Sequence, residues 1–228
     1  MHKIEFKEIS NNNFKNLFVH DVGIKKRPKE RVIIHDNIQG RNGVLIEHTG
    51  VYEAYDRNIQ IWDKDGVHYL ENWLSGYGKL RLSTEPHGYY KAHCIDDIEI
   101  IPTEAGVGKL YNVNFLVQPF FFLDVGDSFI YIKSNETLRL NNSYKLKARP
   151  LIEVIGNGDL EFWFNEEKIK LNDVYNKCII DSEIMETYDN ERYKAIKMYG
   201  EYPILSAGIN TIKPINCDIK IKPRWCRL

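Results

Sequence analysis

Between Leu110 and Leu140 apolar and polar residues alternate, and a period of two belongs to strands, whose successive side chains leave the backbone on opposite faces. Tyr111, Val113, Phe115 and Val117 fall on one face, and Phe129 and Tyr131 share a face further on. Pro119 and Asp124-Val125-Gly126-Asp127 interrupt the pattern. The run Phe120-Phe121-Phe122-Leu123 is apolar on both faces, which predicts burial in a sandwich or at a subunit contact. A chain organised in this way is mainly β.

The remainder of the sequence extends that reading. Gly40-Arg41-Asn42-Gly43, Asp65-Gly66, Gly156-Asn157-Gly158-Asp159 and Ala207-Gly208-Ile209-Asn210 supply residues that tolerate positive φ, as tight reversals require. Leu160, Phe162 and Phe164 alternate with Glu161 and Trp163, and Asn165-Glu166-Glu167 then turns into Lys168-Ile169-Lys170-Leu171, a hairpin meander. Ile219 and Ile221 alternate with lysines, as in a strand with one wet face. One segment breaks the pattern. Tyr69, Leu70, Trp73, Leu74 and Tyr77 recur at three- and four-residue spacings, which predicts a short amphipathic helix covering one end or face of a sandwich, ended by Gly76 and Gly78.

With 228 residues the chain suits one large domain or two small ones. Composition shifts between Ser134 and Arg149, a polar stretch carrying Asn141-Asn142-Ser143, before Pro150 opens a new apolar run. The expected division is therefore an N-terminal domain, 1–140, and a C-terminal domain, 141–228.

Charge narrows the function classes. Thirty-one basic side chains against 32 acidic ones argue against a protein that coats nucleic acid, whose affinity comes from clustered Lys and Arg. The longest basic stretch, Lys25-Lys26-Arg27-Pro28-Lys29, runs straight into Glu30-Arg31 and reads as a solvated loop or interface arm. No apolar run approaches the roughly 20 residues that cross a bilayer, and Met1-His2-Lys3-Ile4-Glu5 lacks a signal peptide's apolar stretch, so no membrane insertion and a cytosolic product are expected. Cys94, Cys178, Cys217 and Cys226 show no C-x-x-C spacing and are expected as free thiols. His87, His93 and Cys94 form only a fragment of a metal-ligand pattern.

The whole chain is poor in motifs for chemistry. It lacks the G-x-S-x-G elbow and the phosphate-binding glycine loops that open a helix after a strand. Gly106-Val107-Gly108-Lys109 and Gly76-Tyr77-Gly78-Lys79 lie among strand and turn signals and read as bends. Asp181-Ser182-Glu183-Ile184-Met185-Glu186 holds enough carboxylates for a glycoside hydrolase, which needs two across a cleft, although such a cluster suits a solvated turn equally. Trp163, Trp225 and Tyr202 are candidates either for a sugar-stacking platform or for the core. No catalytic, cofactor-binding or metal residue is assigned, and no cofactor is expected.

A longer succession carries a family resemblance. Pro150-Leu151-Ile152-Glu153-Val154-Ile155-Gly156-Asn157-Gly158-Asp159 is followed by Ile180-Asp181-Ser182-Glu183-Ile184-Met185-Glu186-Thr187-Tyr188. Lys197-Met198-Tyr199-Gly200-Glu201-Tyr202-Pro203-Ile204-Leu205, Gly208-Ile209-Asn210-Thr211-Ile212 and Pro223-Arg224-Trp225 come next. In this order and spacing they resemble the C-terminal domain of the phage distal tail protein family. Arg31-Val32-Ile33-Ile34 and Ile38-Gln39-Gly40-Arg41-Asn42-Gly43-Val44-Leu45 resemble that family's early strand and glycine turn, with Gln39 where proline is common. The Trp73-Leu74 helix and the strands Gly88-Tyr89-Tyr90-Lys91-Ala92 and Phe115-Leu116-Val117-Gln118-Pro119-Phe120 follow in the family's order.

The resemblance implies an N-terminal tail-tube-like β-sandwich with one helix and a C-terminal galectin-like β-sandwich. It also implies a structural virion protein: six copies form a ring at the tail tip, joining the tail-tube protein to the tail-tip hub protein and to receptor-binding or baseplate proteins, with DNA passing through. Near-zero net charge suits such a conduit, because a strongly basic lumen would grip phosphates. Residues 150–228 contain no histidine, whereas sugar-binding galectins use one in an H-x-N-P-R strand, so the galectin-like fold does not imply lectin activity. Phe120–Leu123 and the arm at residues 25–48 are the expected ring contacts. Two rival readings remain: a carbohydrate-binding module that recognises the host surface through Trp163 or Tyr202, and a hydrolase built on Glu183 or Glu186.

Overall fold

The computed structural model describes residues 2–36, 38–40, 42–95, 98–102, 107–189 and 194–228. The chain is mainly β and forms two compact units, the first running to Phe121 and the second from Phe122 to Arg227. The units part inside the aromatic run, ahead of the composition shift. Ile130–Ile132 pairs with Ile219–Ile221, and Leu138–Asn142 pairs with Gly208–Ile212, so the polar stretch belongs to the second unit's sheets. Its polar residues are structural there. The buried Asn142 amide donates to the Leu146 and Leu205 carbonyls, and the Ser134 hydroxyl donates to the Ile215 carbonyl.

In the first unit an antiparallel sheet runs in the order Ile9–Ser10, Ile4–Phe6, Gly76–Leu82, Glu85–Cys94, Lys109–Leu123, Tyr55–Asp63, Leu17–Asp21. Glu99–Pro102 pairs with the start of Lys109–Leu123. The alternation places Tyr111, Val113, Phe115 and Val117 on the buried face as expected, opposite Ile59 and Ile61 in register. Phe6 meets Phe115 edge-to-face at 5.0 Å. Each such fully buried side chain stabilises the fold by about 1.5–3 kcal/mol relative to exposure.

The helix is shorter than its stripe suggests, a single turn over Glu71–Leu74. Leu70, Trp73 and Leu74 are buried, but Tyr69 and Tyr77 are exposed, and Tyr77 already belongs to the next strand. Gly76, in the left-handed region at φ +75°, redirects the chain. The turn is held by the Trp73 indole, which donates to the Phe6 carbonyl at 3.0 Å, and by Phe14 stacked on that ring.

The second unit is a sandwich. One layer runs Ile130–Ile132, Asp218–Lys222, Leu151–Ile155, Lys177–Asp181, Glu186–Asp189, Lys194–Ala195. The other runs Leu138–Asn142, Gly208–Pro214, Gly158–Phe164, Glu167–Val174, Met198–Tyr199. Ile152, Val154, Ile180, Ile219 and Ile221 from the first layer join Leu160, Phe162, Phe164, Ile169, Leu171 and Ile212 from the second in one core. All four cysteines are buried with no disulfide among them, and burial pushes the Cys217 thiol up to about 11.

Candidate functional site

One element stands apart from the first unit's sheet. Glu30–His35 and Leu45–Tyr52 form a separate two-stranded antiparallel ribbon, an arm that coincides with most of the expected contact segment. The described residues between its strands include Gly40 and Gly43, both at positive φ, while Asn37 and Arg41 lie outside the described residues. Ile34 faces Ile46 in register and shares a side with Val32; Ile33, Glu47, His35 and Leu45 share the other. The arm thus exposes aliphatic side chains on both faces, the second also carrying the His35–Glu47 contact at 3.1 Å, with Ile34 60% and Ile46 50% accessible. Ribbons of this kind are marginal in water unless something packs on them.

The arm's root is fixed by a polar cluster. Arg57, 2% exposed, donates through Nε to the Val22 carbonyl at 2.8 Å, through Nη1 to Glu85 at 2.8 Å and through Nη2 to the Gly23 carbonyl. Lys25 Nζ lies 3.0 Å from the second Glu85 oxygen, which also accepts from the Tyr90 hydroxyl. Burial alone would raise the Glu85 carboxyl, but the hydrogen bonds from Tyr90, Arg57 and Lys25 outweigh it and hold the group below the usual carboxylate range. Gly23 sits at φ +70°, and a Cβ there would lie 2.3 Å from the Asn58 carbonyl oxygen. The basic segment after it is exposed at Lys25, Lys26, Arg27 and Lys29 and buried at Pro28.

No protein-family model matches the sequence, and no curated protein matches it. A solved structure does match over both units. It is the Dit (gp 19.1) protein of SPP1, described as a paradigm of the hub adsorption apparatus in phages infecting Gram-positive bacteria, and the superposition covers 97% of each chain with a TM-score of 0.65 at 12% identity. The chain has the Dit fold.

Within the Dit fold, the aromatic run is largely consumed by the chain's own packing. Phe121 and Phe122 are buried, Phe121 against Tyr90, while Phe120 meets Tyr52 at the end of the arm. The candidate sugar platform is not assembled. Trp225 is core, Tyr202 lines a groove of about 430 Å³ with Phe164, Glu166, Glu167, Glu201 and Pro203, and Trp163 stands exposed on the outer face of the five-stranded layer. The acidic cluster is an ion-pair clamp. Arg224 binds Asp181 with both terminal nitrogens, at 2.6 and 2.9 Å, and reaches Glu183 at 3.3 Å, while Glu186 is exposed. Burial would raise the Asp181 carboxyl, and the Arg224 guanidinium holds it low instead.

His93 and Cys94 leave their strand on opposite faces, and His87 is exposed at positive φ; among the described residues no group of three or more His, Cys, Asp or Glu is arranged to hold a metal ion. Gly108 is a bend packed on the Asp63 and Lys64 carbonyls, and Gly78 lets the Phe6 ring and Lys7 approach, whereas Gly106 lies outside the described residues. No helix among the described residues is long and apolar enough to cross a membrane.

Sequence reasoning missed the Arg57–Glu85 cluster, yet its signal was present. Arg57 is in phase with Ile59 and Ile61, so the alternation puts a cation on the buried face, where it requires a partner.

Proposed function

We propose that this chain is the distal tail adaptor of a long-tailed phage. Six copies close into a ring at the tail tip, join the tail-tube protein to the hub and adhesion proteins, and leave a channel for DNA. The first unit, tail-tube-like, forms the ring, and the second, a galectin-like sandwich, faces the adhesion apparatus; assembly takes place in the host cytoplasm. The Dit fold across both units supports the role, and the observation that carries it is the arm, a ribbon with solvent-exposed isoleucines on both faces. In a ring each arm packs on the next copy, a head-to-tail contact that closes. The Phe120–Tyr52 contact marks where the arm returns to its own unit.

The test is the native mass and negative-stain image of the chain with its tube or hub partner. A ring of six copies is expected, and a one-to-one complex would sink the proposal. Host-surface carbohydrate recognition is a second reading, favoured by one observation, the exposure of Trp163 at the centre of a sheet face.

A further inference from the structure

Trp163 lies on the central strand of the second unit's five-stranded layer, and its register partners are lysines on both sides, Lys213 and Lys168. Neighbouring strands are about 4.8 Å apart, so the indole is bracketed by two ammonium-bearing side chains. The same outward face carries Lys170, Thr211 and Arg139, each fixed there by register with Glu161 or within the Leu138–Asn142 pairing, and Tyr199 opposite Lys170. Lys197 sits 4.8 Å over the Tyr199 ring. Five cations therefore surround two exposed aromatic rings on a chain whose net charge is −1. The face's counter-charges are Glu161, shared by Lys168 at 2.6 Å and Lys170 at 3.1 Å, and the exposed Asp159 further along the same strand. Among the described residues Arg139, Lys197 and Lys213 have no carboxylate within ion-pair distance.

An excess of positive charge on an open sheet face attracts a polyanion, and exposed rings add stacking area for sugar or polyol units. Four of the five cations are lysines, point charges suited to phosphates, with no second arginine fork to select planar carboxylates. We infer that this face binds a linear polymer of polyol or sugar phosphates, with Trp163 as platform and Lys213, Lys168 and Arg139 as phosphate contacts. Choosing a bacterial wall polymer over an acidic protein rests on the tail-tip reading above; the cationic, aromatic face does not.

Calorimetry of the full chain with poly(glycerol phosphate), neutral dextran and poly-L-glutamate tests it. Saturable binding is expected for poly(glycerol phosphate) alone, weakening as salt rises. Lys213→Glu and Trp163→Ala should each lower affinity about tenfold. Both positions are exposed, and thermal melts of each variant report whether the fold survives; should Trp163→Ala unfold, Lys213→Glu still decides. Absence of binding, or binding indifferent to both substitutions, overturns the proposal. Equal binding of poly-L-glutamate also overturns it and points to an acidic protein instead. Native mass measured on the same samples separates the two ideas: a chain that rings without binding defeats only this site, and one that binds without ringing defeats only the adaptor.

Discussion

Arg57 and Glu85 meet at 2.8 Å at the root of the arm, their side chains only 2% and 10% exposed. The pair joins two strands of the sheet to the Val22 and Gly23 carbonyls, so the direction in which the chain leaves for the arm depends on one guanidinium. Removing one partner leaves the other buried and uncompensated. Arg57→Ala should destabilise the first unit by about 3–5 kcal/mol, read by urea unfolding, and should open residues 22–30 to limited proteolysis. Lys25→Ala, which removes a half-exposed contact to the same carboxylate, should cost no more than about 1 kcal/mol.

Acid should act through two carboxylates. Glu85 and Asp181 both have folded pKa values below their ordinary ones, 4.5 and 3.8. Their unfolded forms therefore take up protons first as pH falls. The stability they contribute is whole at neutral pH, begins to decline near those ordinary values and is lost below them. Thermal melts from pH 7 to 3 should stay flat and then drop, and Asp181→Asn should make the drop shallower.

Glycines separate contact from conformation. Gly23 and Gly208 both have positive φ, at +70° and +91°, but a Cβ at Gly208 meets nothing within 4 Å, whereas one at Gly23 collides with the Asn58 backbone. Gly208→Ala should cost about 1–2 kcal/mol from backbone strain alone. Gly23→Ala should cost more and disturb the arm's root. Equal losses in paired denaturation curves would contradict the collision.

The arm should matter to assembly and not to the fold of a single copy. Ile34→Asp with Ile46→Asp places charges on a face that no part of the described chain covers. The monomer's stability should change by no more than about 0.5 kcal/mol per site. Ring formation, followed by native mass, should be abolished.

Much of this architecture could be read from the alternation. Tyr111 to Val117, Leu160 to Phe164 and Ile219 to Ile221 all bury the faces their period assigns. The apolar stripe overruns the helix because Tyr77 continues the three-and-four spacing after Gly76 has already turned the chain into a strand. The polar stretch around Asn142 imitates a linker, because a buried amide satisfied by two carbonyls has the same composition as a solvated one. Trp163 could be placed on a strand, but not between two lysines, because cross-strand register is set by partners remote in sequence: Lys213 is brought beside it by sheet order. In sequence the Asp181 cluster stands without a counter-charge, because its neutralising partner, Arg224, lies at the far end of the unit's sequence.

The measurement that bears most directly on the adaptor is native mass of the full chain mixed with its tail-tube or hub partner, imaged in parallel by negative stain. A ring containing six copies of the 26.8 kDa chain is expected, lost in the Ile34→Asp, Ile46→Asp variant. A one-to-one complex with the partner, or a ring that persists with both arm isoleucines replaced, would contradict it.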